Sequence, residues 1–154
     1  MVNRPKQIGT AAETAVVRAA RTRGFPNADR LTLTGALDRG DIGLSPGVII
    51  EVKGGDKARD ASDLLIETWL AETERERRNA HATVAFLVTQ RRGVGATNAH
   101  RWWAWWYLAD LEQLREHPTP RPVGDGTPIR MRLDDALHLI RTAGYGQPTK
   151  GPAA

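Results

Sequence analysis

Apolar positions 12, 16, 19 and 20 recur at helical spacing and predict a first helix over residues 10–23, opened by a capping box of Thr10 and Glu13 and stopped by Gly24. Residues 29–34 (DRLTLT) alternate as a strand does, GALDRG reads as a turn, and 41–44 (DIGL) predicts a second short strand before the Ser45-Pro46-Gly47 turn. Val48 to Lys53 is the clearest strand, its β-branched residues set between Gly47 and the Gly54-Gly55 pair. A long amphipathic helix is predicted over 61–78, with Ala61, Leu64, Leu65, Thr68 and Trp69 as its apolar stripe and a solvated ERERR stretch at its end.

Strands are then predicted over 82–89 (ATVAFLVT) and over the aromatic run 102–108, separated by a mobile loop at 90–101. A short helix at 110–116, a Pro/Gly-rich connection at 117–128, a last strand at 129–133 and a helix from 134 to about 143 follow. The order helix, three strands, helix, strand, strand predicts an α/β fold, a central mixed β-sheet flanked by helices. One domain is expected over 1–143, with a core at about 7–108 and a peripheral strand-helix extension at 109–143. The tail 144–154 has too few apolar residues to pack and is expected to be disordered.

At 154 residues the chain can bury roughly two-thirds of the surface its unfolded form exposes. The net charge is +4, and the basic residues are mostly arginine, since lysine occurs only at Lys6, Lys53, Lys57 and Lys150. Arginine's planar fork suits phosphate oxygens, so the balance leans toward a nucleic-acid partner, although coding bias yields the same composition. With no cysteine, a disulfide framework, a thiolate zinc site and a cysteine nucleophile are excluded. The opening MVNRPKQIG carries no apolar signal region and no run reaches the ~18 to 20 residues of a membrane span, so a cytoplasmic protein with no membrane partner is expected.

In VIIEVK the side chains alternate, so Val48, Ile50 and Val52 share one face and Ile49, Glu51 and Lys53 the other. A carboxylate and an ammonium thus stand together at the end of a strand, beside a glycine pair that would let a bulky ligand approach. A surface ion pair on an edge strand would look the same. Ten residues upstream, RGDIG puts Asp41 where a meander would bring it beside Glu51, and Glu13 sits at the inner margin of the first helix, a position its capping role would equally explain. Three carboxylates and a lysine are what metal-assisted phosphodiester hydrolysis needs. Hard oxygen ligands suit Mg²⁺, with Mn²⁺ expected to substitute, and lysine can orient the attacking water or offset charge at phosphorus.

A helix with Glu13, then GDI with Asp41, then EVK with Glu51 and Lys53, then an amphipathic helix and a strand, resembles the PD-(D/E)XK nuclease superfamily, and in size and layout its archaeal and phage Holliday junction resolvases. The resemblance covers residues 7–108. It implies a restriction-endonuclease-like αβββαβ core, a homodimer, and Mg²⁺-dependent cleavage of branched DNA in recombination, in a host's cytoplasm if phage-encoded. Asp41 and Glu51 are implied metal ligands, Lys53 the catalytic lysine, and Glu13 a further catalytic and metal-site carboxylate. Gly40 stands where the motif has proline. A restriction-type, nicking or toxin-like nuclease, or a catalytically silent DNA-binding protein, would share these features.

Arg91, Arg92 and Arg101, around Gly93 and Gly95, could grip a DNA backbone or belong to an ordinary hairpin. Trp102, Trp103, Trp105 and Trp106 could stack on unpaired bases, but the alternation of Trp103, Trp105 and Tyr107 with Trp102, Trp106 and Leu108 fits a strand with one face in the core and the other covered by a helix or a second subunit. The four histidines lack HExxH spacing, and Asp38 and Glu67 read as supporting acids or plain surface charges.

Overall fold

The computed structural model describes residues 3–33, 35–115, 122 and 124–147. Helix α1 (Arg4–Arg21) starts earlier than its apolar spacing suggests. Asn3 caps it by accepting from the Lys6 N–H at 3.4 Å, and Pro5 occupies its first turn, where a missing N–H is harmless. Thr10 and Glu13 therefore lie inside the helix and form no capping box. Ala12, Ala15, Val16, Val17, Ala19 and Ala20 make its buried face.

Six strands form one sheet in the order β1 (Asp29–Arg30), β2 (Ile42–Ser45), β3 (Val48–Lys53), β4 (Val84–Thr89), β5 (Trp103–Tyr107) and β6 (Pro128–Arg132). β3 and β4 are parallel and every other pair is antiparallel, so the sheet is mixed. Of the predicted strand at 29–34, Asp29 and Arg30 form β1 and the Leu31 N–H donates to the Asp41 carbonyl at 2.8 Å, while the Leu31 and Leu33 side chains are exposed.

The two faces of the sheet carry separate cores. Val48, Ile50, Val52, Val84, Phe86, Val88, Ala104 and Trp106 point to one side and pack with α1. Helix α5 (Leu133–Thr142) joins them, with Leu133, Ala136, Leu137 and Ile140 fully buried in that same core. The C-terminal strand and helix are thus integral rather than peripheral, because β6 extends the sheet and α5 closes the apolar face that β5 exposes. The beginning of the tail packs as well: Tyr145 rests on the core and the Gln147 N–H donates to the Gly24 carbonyl at 2.8 Å. Residues 148–154 and half of the 117–128 connection lie outside the described residues, and α4 (Leu108–Gln113) forms the short helix before it.

On the opposite face α3 (Asp63–Asn79) covers Leu87 with Ile66, Trp69 and Leu70. Ser62 sets its start by accepting from the Leu65 N–H at 3.2 Å, which leaves α2 (Asp56–Arg59) as a separate turn. The helix is rotated from the predicted stripe. Leu64 is 74% exposed and Thr68 is exposed, whereas Glu74 and Glu76 of the supposedly solvated stretch are buried. The loop at 90–101 is no mobile arm either: it holds a 3-10 helix (Ala96–Arg101) against α1, buries Val94 and Ala99, and accepts the Trp102 indole N–H at the Val94 carbonyl. Among the described residues no helix is long and apolar enough to cross a membrane.

Candidate active site

Antiparallel pairing of Ile42 with Ile50 sets the register that brings Asp41, just before β2, beside Glu51. The Asp41 N–H donates to the Ile50 carbonyl at 3.1 Å, and the Asp41 Oδ2 accepts from the Val52 N–H at 2.8 Å. Backbone on both sides therefore fixes this carboxylate. The approach depends on Gly40, whose φ of +92° is closed to proline and strained for any side chain. Glycine at position 40 is thus a requirement of this turn.

Glu51 and Lys53 lie on the α3 side of β3, as their alternation predicts, while Val48, Ile50 and Val52 fill the other core. Lys53 Nζ stands 2.9 Å from Glu51 Oε1 and 3.4 Å from Glu72 Oε2, and 5.7 Å from the centre of the Trp69 ring. Burial disfavours the ammonium, but the charges of Glu51 and Glu72 outweigh it and hold its pKa above the ordinary lysine value.

The two acids respond to the same surroundings in the opposite sense. Burial, then the neighbouring Glu51 charge, pushes Asp41 up to about 8 against the pull of the Val52 N–H. Burial and a hydrogen-bonding contact with Glu76 push Glu51 up to about 8, with Lys53 pulling the other way. Glu76, buried on α3, is itself pushed up to about 7 by burial and by the charges of Asp38 and Asp41. Glu51 Oε2 and Glu76 Oε2 are both buried with no donor among the described residues. As two carboxylates they would repel, and that repulsion adds to burial in favouring a protonated Glu51.

Glu13 does not join the pair. Arg30 Nε holds its Oε2 at 2.6 Å, although its charge still reaches Asp41. Among the described residues no three His, Cys, Asp or Glu side chains are arranged to hold one metal ion, so Glu13 is not a third ligand in this arrangement. What remains is Asp41 and Glu51, two adjacent hard oxygen donors, one with an orphaned buried oxygen. That set fits Mg²⁺, which commonly takes one or two carboxylates and fills its octahedron with water and substrate oxygens. The glycine pair, by contrast, is not an opening for a ligand. A Cβ at Gly54 would meet the Ala12 Cβ at 2.7 Å, so the pair serves the close packing of α1 on β3.

The arginines proposed to grip DNA separate. Arg92 is forked onto Asp60, with Nε to Oδ1 at 2.9 Å; Arg91 stacks on Trp103 at 4.0 Å from the ring centre and donates to the Arg101 carbonyl; the Arg101 side chain is exposed. Asp38 lies close enough for its charge to raise Glu76, whereas Glu67 lines a separate hollow with Asp63, Ile66, Trp105 and Pro128. The residues the sequence reading passed over are Glu72 and Glu76. Continuing the stripe Ile66, Trp69, Leu70, Thr73 by one more turn reaches Glu76, which was the available signal. No protein-family model, curated protein or solved structure matches this chain significantly.

Proposed function

We propose that this protein is a metal-dependent DNA endonuclease that hydrolyses phosphodiester bonds in branched DNA, four-way junctions foremost, and works as a homodimer. The observation that carries the reading is the Asp41–Glu51 pair with Lys53 Nζ held 2.9 Å from Glu51 at the end of β3. Asp41 and Glu51 would hold Mg²⁺ or Mn²⁺, which when bound polarises a phosphoryl oxygen and acidifies a water. The chain's own groups do the rest. The Val52 N–H fixes the Asp41 carboxylate, Glu76 braces Glu51 from the helix side, and Glu72 restrains Lys53. The Lys53 ammonium, kept charged by its two glutamates, is placed to orient the attacking water or to offset negative charge building on phosphorus.

Branched DNA and the dimer are supported by the resemblance to junction resolvases; two symmetric sites would cut opposing strands. One observation favours a second reading, a DNA-binding protein that does not cut: Glu13 is engaged by Arg30, which leaves Asp41 and Glu51 as the acids for a cation among the described residues. A panel of labelled four-way, forked and linear DNA and RNA, incubated with Mg²⁺ or Mn²⁺, separates them. Metal-dependent cutting with four-way DNA preferred is expected. Cutting that prefers linear DNA or RNA replaces the substrate assignment, and binding without cutting in either metal overturns the enzymatic one.

A further inference from the structure

β6 carries a feature outside the residues that resemble the nucleases. Trp103 on β5 has the Arg91 guanidinium 4.0 Å from its ring centre and the Arg130 guanidinium also at 4.0 Å; Arg130 reaches Trp105 as well, at 5.6 Å. Two guanidiniums therefore stack on one indole, each at cation–π distance. Among the described residues neither arginine pairs with a carboxylate. Their neighbours do: Arg92 is tied to Asp60, and Arg132 lies 3.3 Å from Asp134 and 3.7 Å from Asp135.

The stack shares a face with the candidate site. Across the sheet Lys53 pairs with Thr89, Thr89 with Trp103 and Trp103 with Arg132; in the adjacent row Glu51 pairs with Leu87, Leu87 with Trp105 and Trp105 with Arg130. Paired residues point the same way, so Lys53 and Trp103 stand in one row two strands apart, about 10 Å. At ~3.4 Å of rise per nucleotide, roughly three nucleotides of one strand cover that gap.

Resting on the nuclease reading, we propose that the Arg91–Trp103–Arg130 stack is a phosphate clamp that holds the backbone of the DNA strand running to Asp41, Glu51 and Lys53. The indole is already engaged by two guanidiniums, whose planar forks match phosphate oxygens, so the partner is the phosphodiester itself. Stacking fixes the two planar forks in advance, which lowers the entropy lost on binding phosphate oxygens. Two unneutralised cations held together are also a local field that an anion relieves.

The test measures affinity for a labelled four-way junction by anisotropy, in EDTA and over a range of salt, for wild type, Arg91→Ala, Arg130→Ala, the double variant, and Arg92→Ala as the neutralised neighbour. The slope of log affinity against log salt should fall by about 0.9 for each clamp arginine removed and stay unchanged in Arg92→Ala. With Mg²⁺, the double variant should need more DNA for half-maximal cutting yet reach the wild-type rate at saturation. An unchanged slope in the double variant, while wild type binds and cuts, overturns the clamp and leaves the nuclease reading intact. Light scattering in which the double variant loses a dimer that wild type forms also overturns it, since the face would then join subunits. Wild type that neither binds nor cuts DNA removes both.

Discussion

Glu51 on β3 and Glu76 on α3 meet between sheet and helix, each about 5% exposed and each with a buried Oε2 that lacks a donor among the described residues. An amide at position 76 would supply that donor without charge. Glu76→Gln should therefore stabilise the metal-free protein at neutral pH by about 1 kcal/mol, a rise of roughly 2–4 °C in melting temperature. Thermal melts at pH 7.5 and pH 5 check it: the gain should shrink at the lower pH, where the wild-type pair is protonated already.

The raised acids set the pH dependence. Asp41 and Glu51 titrate near 8 in the fold against ordinary values of 3.8 and 4.5, and Glu76 near 7. Between about pH 4.5 and 8 the folded state keeps protons that the unfolded chain has released, so stability is greatest below this window and falls as pH rises through it. The fall is at most about 1.4 kcal/mol per pH unit for each retained proton. Urea melts at intervals from pH 5 to 8.5 without divalent ions should show this decline, whereas stability that rises with pH would mean the acids are ionised in the fold.

The C-terminal helix is a third point of test. Leu137 is fully buried in the core shared with α1, while Leu139 two residues on is 37% exposed. Leu137→Ala should cost about 2–5 kcal/mol and Leu139→Ala little. Chemical denaturation of the two variants measures the contrast; equal small losses would mean that α5 does not seal the main core.

Much of the site was legible because it depends on local rules. Strand alternation alone assigns Glu51 and Lys53 to one face, and a short turn between two adjacent strands is enough to bring Asp41 alongside. The six-stranded mixed sheet with flanking helices likewise follows from the element order. The phase of α3 was hidden, since ERERR reads as solvated until Arg77 and Arg78 are seen to pair with Glu74 and Glu51 to face Glu76. The engagement of Glu13 was hidden for the same reason: its partner Arg30 lies 17 residues away and on another element. The role of β6 depends on its register against β5, across a connection of some twenty residues whose short helix and Pro/Gly-rich stretch do not set that register.

The central claim is that Asp41, Glu51 and Lys53 form one metal-dependent phosphodiesterase site. Single-turnover cutting of a labelled four-way junction, with Mg²⁺ titrated from zero, tests it most directly in wild type, Asp41→Asn and Lys53→Ala, with junction binding in EDTA as the control for folding. Wild type should cut only when the ion is present, and both variants should bind the junction normally yet cut at least about 100-fold more slowly. Wild-type cutting that persists in EDTA, or variants that cut at the wild-type rate, would contradict the account.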